Sequence, residues 1–569
     1  MTRQHPSVAY FSMEIGLHAD IPTYSGGLGV LAGDTIRSAA DLGIDLVGVT
    51  LLHRRGYFRQ SLDAEGGQQE EAVEWDIEAQ LTRVDARASV EIQGRTVHLG
   101  AWRYDVVGAT GATVPVYLLD ADLPENDEED RTLTDTLYGG DERYRLCQEA
   151  ILGIGGLRLL RAVGCHDIDR FHLNEGHAAL VVLALLDEGK RAPRTASEDE
   201  VLDTVRPRLV FTTHTPVSAG HDSFSRDLVR QVLGERVIEQ LGSIGENEGL
   251  NMTELALRAS RYTNGVAMRH AEVSRSMFPG YPIHSITNGI HPETWLAPAM
   301  REVFDRHIPY WRKDLMSLRY AMGIPAAEIA AAHGASKKAM MEYIDEAVPD
   351  HGLLPGALTI GFARRAASYK RLTLVLRDLE RLAAISETTG RIQLVFAGKA
   401  HPADGPGKDL IRQVFAAREA LRGRVSLVYL PDYDMNLARL LVAGCDVWLN
   451  TPLPPLEASG TSGMKAALNG VPSLSVLDGW WVEGNVEGVT GWAIGSDDGM
   501  DDSVDDRDAN HAVSLYEKLE YAVVPTFYNR PRRFHEMQRS CIALNASFFN
   551  TQRMVLQYLY DAYQGPDEG

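Results

Sequence analysis

The sequence has few of the features that would mark other protein classes. Four of its 569 residues are cysteines, scattered without a CxxC pair, which favours reduced thiols over a disulfide framework or a zinc site. The longest apolar run, around residues 178–186, falls short of the roughly 20 residues that a transmembrane helix needs. The amino terminus reaches Glu14 without the apolar run of a signal peptide. These absences predict a cytoplasmic protein.

Basic residues are also scarce relative to acidic ones. Lys and Arg number 56 against 78 Asp and Glu, for a net charge of −22. This balance opposes binding to nucleic acid or to an anionic membrane surface, so neither partner is predicted. An anionic substrate would therefore require a local cluster of basic side chains.

The composition is that of a folded globular protein. Hydrophobic residues make up 44% of the chain and charged residues 24%, without a low-complexity tract. A length of 569 residues exceeds what one hydrophobic core usually serves, which predicts two domains.

Short β-branched runs alternate with helical stretches in two series. The first series comprises residues 8–12, 46–50, 114–119, 171–174 and 209–214. The second follows a helix-rich stretch at 301–346 and comprises residues 358–363, 394–398, 425–430 and 447–450. This rhythm predicts an α/β fold with two parallel sheets flanked by helices. The predicted domains are 1–295 and 296–569, with a helical tail at 548–563 that folds back onto the first domain.

Polar side chains follow these runs, where ligands bind in open parallel sheets. They are Asn174, Glu175, His177, His214, Arg364, Arg365, Lys370, Lys399 and His401. If the two sheets face each other, these groups line one cleft between the domains.

A glycine- and serine-rich loop precedes a helical pattern at residues 457–470, EASGTSGMKAALNG. Gly460 and Gly463 leave backbone amides open to an anion, and MKAAL opens a helix behind them. The GxxxxGK[ST] spacing of a P-loop is absent. On the residues alone, Lys465 is either a lysine behind a phosphate cradle or a solvated lysine in an ordinary loop.

A basic cluster, GFARRAASYKR at residues 361–371, follows one predicted strand. Four cations within it suit a phosphate dianion, because Arg supplies a bidentate fork and Lys a point charge. A solvated basic helix face is the alternative. The glycine-rich turn SGGLGVLAGD at residues 25–34 is a weaker signal, because such turns serve many phosphate ligands and many none.

Histidine and asparagine mark other strand ends, in HLNEGHAAL, FTTHTPVSAGHD and SITNGIHPETW. A lone histidine in such a place is more often structural than a ligand. The HExxH and HxxEH spacings of zinc sites are absent, so no metal is predicted.

Together these segments resemble the glycogen and starch phosphorylases, a family of α-glucan phosphorylases, in their short bacterial form. The resemblance runs from about residue 8 to residue 545 and includes VLDGWW at 476–481 and AGKAHPAD at 397–404. It implies two Rossmann-like domains facing across a cleft, the GT-B glycosyltransferase architecture. It also implies reversible phosphorolysis of α-1,4-glucans, which releases α-glucose 1-phosphate with retention.

The resemblance also implies a role for each matching residue. Lys465 is similar to the lysine that forms a Schiff base with pyridoxal 5′-phosphate, whose phosphate group acts as the acid/base partner of the substrate phosphate. Arg365 and Lys370 match residues that bind the substrate phosphate, and with Lys465 they are the expected catalytic residues. The other expected cofactor-binding residues are Gly27, Arg364, Tyr433, Thr461 and Ser462. The expected substrate-binding residues are His177, His214, Asn288, Glu457, Ser459 and Gly460.

The chain departs from the family pattern at a few positions. Leu453 and Pro454 stand where two arginines are expected, and Arg364 stands where a lysine approaches the cofactor phosphate. Two other functions stay open: a nucleotide-sugar-dependent glucan synthase of the same architecture, and a non-catalytic glucan-binding protein. The expected partners are an α-1,4-glucan or maltodextrin, inorganic phosphate and glucose 1-phosphate, and homo-oligomer formation is left open.

Overall fold

The computed structural model describes residues 7–189, 198–217, 220–241, 249–495 and 503–564. The chain divides into two compact units. The first unit comprises Met1–Phe58, Ala72–Thr287 and Met554–Gly569, and the second comprises Arg59–Glu71 and Asn288–Arg553.

The described part of the first unit is built on a nine-stranded sheet. Its strands, in spatial order, are Ile283–Ser285, Tyr262–Gly265, Leu209–Thr212, Arg170–Asn174, Val8–Ser12, Leu46–Leu51, Thr113–Asp120, Arg95–Val107 and Thr82–Ile92. All five strands predicted for this region are present. The prediction of a wholly parallel sheet is wrong at one edge, where Arg95–Val107 pairs antiparallel with both neighbours. Strand Thr82–Ile92 has mostly exposed or half-buried residues in its first half, and Arg95–Val107 has such residues on both sides of a four-residue buried stretch, so neither is the continuous apolar run of a doubly covered strand.

Two hydrophobic clusters cover the faces of this sheet. Ala9 and Phe11 of the central strand belong to one cluster, and Val8 and Tyr10 belong to the other. Because alternate side chains of a strand point to opposite faces, both faces of the strand are buried. This burial explains the continuous apolar runs from which the strands were predicted.

The helices of the first unit connect and cover these strands. The α-helices are Gly27–Leu42, Ile77–Gln80, Glu128–Arg131, Glu142–Ala150, Gly156–Ala162, Val181–Glu188, Glu198–Asp203, Arg226–Leu233, Glu235–Leu241, Met252–Ala259 and Met268–Met277. A π-helical turn spans Ile151–Gly155, and 3-10 turns span Gly176–Ala178 and Arg206–Arg208. Two short strands, Ser223–Phe224 and Leu250–Asn251, pair antiparallel beside the sheet.

The second unit contains a six-stranded parallel sheet in its described residues. The spatial order is Ser426–Leu430, Ile392–Ala397, Leu358–Ala363, Val447–Asn450, Ser473–Val476 and Gly491–Ile494. All four predicted strands are present, two of them with the predicted bounds. The last two strands were missed because Ser473–Val476 and Gly491–Ile494 are short runs that contain serine or glycine.

Helices surround this second sheet. The α-helices are Pro292–Trp295, Pro298–His307, Ala326–Ala347, Leu379–Thr388, Gly405–Ala420, Met435–Gly444, Ser462–Leu468, Trp481–Gly484, Val504–Lys518, Val524–Asn529 and Pro531–Ser540. The 3-10 helices are Leu315–Gly323, Ser368–Lys370 and Leu374–Leu376, and the π-helical segments are Leu519–Val523 and Cys541–Ala546. Helix Thr551–Gln557 passes from this unit into the first unit at Met554, and the π-helical segment Tyr558–Tyr563 follows it there.

The division of the chain differs in detail from the predicted domains. It falls between Thr287 and Asn288, ahead of the predicted boundary at residue 295. The hairpin of Arg59–Leu62 and Gln68–Glu71 belongs to the second unit, although the prediction assigned it to the first domain. The physical reason is hydrogen bonding, since Gln60 Nε2 donates to the Gly398 carbonyl at 3.0 Å and Gln68 Nε2 donates to the Ala400 carbonyl at 2.9 Å.

The carboxyl-terminal helical segment belongs to the first unit. Helix begins at Thr551, later than the predicted residue 548. His172, on a central strand, bonds the Tyr563 hydroxyl through Nδ1 at 2.7 Å and Thr212 Oγ1 through Nε2 at 2.8 Å.

Within the described ranges no helix is long and apolar enough to cross a membrane. The four cysteines are buried and form no disulfide.

Candidate active site

The predicted lysine loop of the second unit packs tightly against tryptophan side chains. Helix Ser462–Leu468 begins in the loop, and Trp448 Nε1 donates to Ser462 Oγ at 3.0 Å. A Cβ at Gly463 would lie 2.7 Å from the Trp480 ring, so the close approach there requires glycine. The helix predicted from MKAAL is therefore present, with a small-residue turn in front of it.

Lys465 lies on this short helix and is almost fully buried. The residue is 7% exposed, and its Nζ sits 3.7 Å from the centre of the Trp295 ring. Asn469 fixes the segment that carries this ring, because its Nδ2 donates to the Trp295 carbonyl at 2.9 Å and its Oδ1 accepts from Ala297 N at 2.8 Å. Trp295 was not among the predicted site residues, and no local pattern in the sequence indicates its contact with this lysine.

Glu457 forms the charged centre of this region. Its Oε2 accepts from Lys370 Nζ at 2.6 Å and from Arg364 Nη2 at 2.7 Å, and all three side chains are largely buried. Burial alone would raise the pKa of Glu457, but the two cations outweigh it and hold the pKa at about 2. The carboxylate is therefore ionised at neutral pH.

A second carboxyl group lies behind Glu457. Asp478 Oδ2 accepts from the Glu457 backbone amide at 2.9 Å, and Asp478 Oδ1 accepts from Gly479 N at 2.9 Å. Burial, with the charge of Glu457 as a smaller contribution, raises the pKa of Asp478 to about 7, although its backbone hydrogen bonds act to lower it. Asp478 was not a predicted site residue, but the VLDGWW segment that contains it was part of the resemblance.

Several donors around Glu457 remain unused. Arg364 Nε and Nη1 and Ser459 Oγ are buried and have no hydrogen-bond partner among the described residues. Gly460, with a φ of 80°, turns the loop beside the Glu457 side chain. Unused buried guanidinium and hydroxyl groups suit an anionic or polyhydroxylated ligand. The residues present thus fit both a phosphate group and a sugar.

The basic cluster does not converge as a whole. Arg364 and Lys370 reach Glu457, whereas Arg365 is exposed and its Nη2 lies 3.4 Å from the Tyr369 hydroxyl. Lys370 also lies 4.4 Å from the centre of the Tyr369 ring.

Arg371 instead points away from the predicted anion site. Its Nε donates to the Thr451 carbonyl at 2.8 Å, its Nη2 to the Pro452 carbonyl at 2.6 Å, and its Nη1 to Asp508 at 2.7 Å. Arg507 Nη1 donates to the Pro454 carbonyl at 2.9 Å. Arg371 and Arg507, which lie outside the loop that contains Leu453 and Pro454, therefore hold this loop by hydrogen bonds to its backbone carbonyls.

Two more predicted residues lie in the second unit. Tyr433 is half-buried after strand Ser426–Leu430 and packs against a hydrophobic cluster. Asn288 is 4% exposed, and its Oδ1 lacks a hydrogen-bond partner within the described parts of the chain. Asn288 had been assigned to the first domain, and its placement in the second unit is a correction.

In the first unit, His177 and His214 follow the ends of the neighbouring strands Arg170–Asn174 and Leu209–Thr212. His214 Nε2 bonds Asn174 Oδ1 at 2.7 Å, and its backbone amide donates to Glu175 Oε2 at 2.7 Å. Burial, with smaller contributions from neighbouring histidines including His177, lowers the pKa of His214 to about 3. His214 is consequently a neutral imidazole with a fixed orientation.

His177 faces an acidic partner. Its Nε2 lies 3.2 Å from Asp222 Oδ2, and its Nδ1 is buried without a partner among the residues that the structure describes. Arg145 Nη2 donates to the same Asp222 oxygen at 2.6 Å. Asp222 was not predicted, although it lies in the FTTHTPVSAGHD segment.

The glycine-rich turn of the first unit is organised by a buried glutamate. Glu14 Oε2 accepts from Ser25 N at 2.6 Å and from Gly26 N at 3.3 Å. A Cβ at Gly29 would lie 2.7 Å from this oxygen, and nothing lies within 4 Å of a Cβ built at Gly27. Glu14 thus holds two amides of the turn and leaves open space at Gly27. The sequence offered no signal for Glu14 beyond its place after the first strand.

Known proteins match nearly the whole chain. A model of the carbohydrate phosphorylase family matches residues 217–491. Maltodextrin phosphorylase of Thermococcus litoralis is 40% identical over 98% of this chain and 70% of its own length. Glycogen phosphorylase of Mycobacterium tuberculosis is 39% identical over 98% of this chain and 70% of its own length, and that of Aquifex aeolicus is 35% identical over 98% and 86%. The chain belongs to the carbohydrate phosphorylase family.

Membership confirms the resemblance drawn from the sequence motifs. In this carbohydrate phosphorylase the structure brings Arg364, Lys370 and Glu457 together in one unit, and it places His177 and His214 after neighbouring strands of the other. It leaves Arg365 exposed. The catalytic, cofactor-binding and substrate-binding roles of the predicted residues stay predictions. Among the described residues no group of three or more His, Cys, Asp or Glu side chains could hold a metal ion.

Proposed function

We propose that this phosphorylase catalyses the reversible phosphorolysis of α-1,4-glucans and releases α-glucose 1-phosphate from their non-reducing ends with retention. The observation that carries the proposal is Glu457, buried and ionised between Arg364 and Lys370, on the loop that leads to Lys465. Relatives named maltodextrin phosphorylase and glycogen phosphorylase support it. The GT-B architecture, with its cleft between two domains, is part of the proposal.

The proposed cofactor is pyridoxal 5′-phosphate, attached at Lys465. Arg364, Thr461, Ser462, Tyr433 and Gly27 would bind it, and the buried unused donors of Arg364 fit its phosphate group. When bound, its 5′-phosphate supplies acid/base chemistry to the substrate phosphate. Lys465 is suited to the attachment because the Trp295 ring and the surrounding burial keep water away from its Nζ.

The side chains of this chain provide the electrostatic frame for the reaction. Inorganic phosphate gives a proton to the glycosidic oxygen, the C1–O bond breaks, and a phosphate oxygen forms the new bond to C1 on the same face. Lys370, Arg364 and Arg365 offset the negative charge that gathers there. Glu457 would accept hydrogen bonds from hydroxyls of the transferred glucose, and Ser459 and Gly460 would contact the same sugar.

The first unit would bind the glucan. His214 is neutral and held by Asn174, so it can exchange a hydrogen bond with a sugar hydroxyl without bringing a charge. His177, and Asn288 of the second unit, are the other proposed sugar contacts, and each has a buried polar atom without a partner in the described structure. Cytoplasmic location and homo-oligomer formation stay predictions from the sequence.

Two alternatives make different predictions. A nucleotide-sugar-dependent glucan synthase would transfer glucose without pyridoxal phosphate, and a glucan-binding protein would show no turnover. The buried Lys465 and the paired Lys370 favour the phosphorylase, because neither alternative requires a lysine at both positions.

The decisive experiment measures glucose 1-phosphate release from maltose, longer maltodextrins and glycogen as a function of phosphate concentration. We expect phosphate-dependent release and the absorbance of bound pyridoxal phosphate, both lost in Lys465→Ala. Lys338→Ala, a surface lysine of the same unit that is 78% exposed, is the matched control and should leave both unchanged. Activity that requires a nucleotide sugar, or full phosphorolysis by Lys465→Ala, would contradict the proposal.

A further inference from the structure

The most unusual titratable group outside the proposed chemistry is Glu149. It lies on helix Glu142–Ala150 and is fully buried at 0% exposure. Both of its carboxyl oxygens lack a hydrogen-bond partner of good geometry within the described ranges. An ionised carboxylate without a partner is strongly disfavoured in such a setting. The group therefore needs either a cation or a proton.

No described cation is hydrogen-bonded to Glu149 itself, because the neighbouring cations are engaged by Asp222. Asp222 lies against the same helix as Glu149, because it binds Arg145 one turn before Glu149, and its charge acts on Glu149. Arg145 Nη2 lies 2.6 Å and His177 Nε2 lies 3.2 Å from the carboxylate of Asp222. Arg145 comes from the same helix as Glu149, one turn earlier. The Asp222 carboxylate thus has two donors, whereas the Glu149 carboxyl has none among the described residues.

We propose that Glu149 is a permanently protonated carboxylic acid whose O–H donates to Asp222, and that this acid and Asp222 together position His177. Two adjacent carboxyl groups cannot both ionise in a dry site, so one retains a proton and the other carries the charge. Asp222 carries the charge because Arg145 and His177 contact it. The assignment rests on the proposed function, since His177 matters as a glucan-binding residue.

The electrostatic environment agrees with this division of roles. Burial, followed by the charge of Asp222, raises the pKa of Glu149 far above its ordinary value. Burial also acts to raise the pKa of Asp222, but His177 and Arg145 outweigh it and hold that pKa well below the ordinary range. Asp222 can therefore hold His177 Nε2 in one direction, while Arg145 and the O–H of Glu149 hold Asp222.

The proton on Glu149 can be tested without any substrate. Infrared difference spectra of the folded holoenzyme at about pH 8, wild type minus Glu149→Gln, should contain the carbonyl band of a protonated carboxylic acid. Glu142→Gln, an exposed position on the same helix, is the control and should show only the loss of an ionised carboxylate. A carboxylate band alone in the Glu149→Gln difference would overturn the assignment.

The positioning role is tested by kinetics. Glu149→Gln keeps a neutral donor of similar shape, so its thermal midpoint and its KM for maltodextrin should stay within about twofold of wild type. Glu149→Met removes the donor at similar volume and should raise the KM for maltodextrin about fivefold or more, with the KM for phosphate unchanged. Asp222→Asn should have the larger effect, because it removes the charge that holds His177.

The outcomes separate the two hypotheses. A Glu149→Met enzyme with the wild-type KM for maltodextrin would show that Glu149 has no positioning role. A Glu149→Gln enzyme that behaves like Glu149→Met would show that the native group is ionised. If the wild-type protein has no phosphorolytic activity, the proposed function fails, while the infrared measurement still decides the protonation state of Glu149.

Discussion

Glu457 concentrates the charge of the second unit at a single side chain. Its carboxylate binds two buried cations at once, and the unused Arg364 nitrogens remain beside it. Two cations against one carboxylate leave a net positive site in a chain whose net charge is −22. The local charge reversal that an anionic substrate requires is therefore present, on buried groups where it is least screened.

Lys370 and Arg365, expected from the sequence to act as a pair, should behave differently when replaced. Lys370→Ala should lower kcat/KM for phosphate about 30-fold or more, from a loss on the order of 2 to 4 kcal/mol, and should also lower the thermal midpoint. The reason is that Glu457 would remain buried with one cation instead of two.

Arg365→Ala should weaken the use of phosphate and leave the thermal midpoint unchanged, because Arg365 is exposed. Phosphate titrations with thermal unfolding check both, and wild-type phosphate dependence in Lys370→Ala would contradict the assignment.

At the scale of elements, Arg371 connects three segments of the second unit. It follows the 3-10 helix Ser368–Lys370, grips the carbonyls after strand Val447–Asn450, and pairs with Asp508 on helix Val504–Lys518. The arginines missing at Leu453 and Pro454 are thus not needed to hold the backbone of that loop. Lys370 and Glu457 lie on the segments that this guanidinium ties together.

The carboxyl-terminal segment is tied to the first unit by a buried polar network. Tyr563→Phe removes the partner of His172 Nδ1 and leaves a ring nitrogen unsatisfied in the core. We expect the free energy of unfolding to fall by about 1 to 3 kcal/mol. Tyr560→Phe, at a position that is 65% exposed, is the control and should change it by no more than about 0.5 kcal/mol. Equal stabilities in urea titrations of the two variants would show that the network does not anchor the segment.

At the scale of the whole molecule, buried neutral histidines predict the response of stability to acid. Burial, as the largest cause in each case, lowers the pKa of five histidines to about 3 or 4. They are His53, His172, His214, His270 and His511. In the unfolded chain each histidine has a pKa near 6.5. Between about pH 6.5 and pH 4 the unfolded state therefore binds protons that the folded state does not bind.

Raised carboxyl pKa values oppose this trend but are fewer. Asp478, with a pKa of about 7, and Glu149 keep protons in the folded state that the unfolded chain has lost above about pH 5, and burial also raises the pKa of Asp135 and Asp434. Burial lowers the pKa of His221 and His535 as well, so among the described residues the lowered histidines outnumber these four carboxyls. The free energy of unfolding should therefore fall as the pH is lowered from about 6.5 to about 5. Urea unfolding at stepped pH measures the slope. His172→Gln should reduce the slope of the free energy of unfolding against pH by the equivalent of about one proton. His18→Gln, at a side chain that is 53% exposed, should leave this slope unchanged. A pH-independent stability over this range would contradict the prediction.

The sequence by itself determined the family, the lysine loop and most strands of both sheets. Strand Leu358–Ala363 and loop 457–470 could be found because buried parallel strands are continuous apolar runs and because a tight small-residue turn demands glycine at particular offsets. These signals are local, since each depends on residues that are neighbours in the chain.

Only the tertiary structure decided which charges meet. Lys370 and Glu457 are far apart in sequence, as are Lys465 and Trp295, and Glu149 and Asp222, so no periodicity could pair them. Distant partners also determine the antiparallel pairing at the sheet edge. They determine the place of hairpin 59–71 as well, because it bonds residues near position 400 and so belongs to the second unit. The physical reason is that ionisation and hydrogen bonding depend on burial and on the group opposite, and both exist only after the chain has folded.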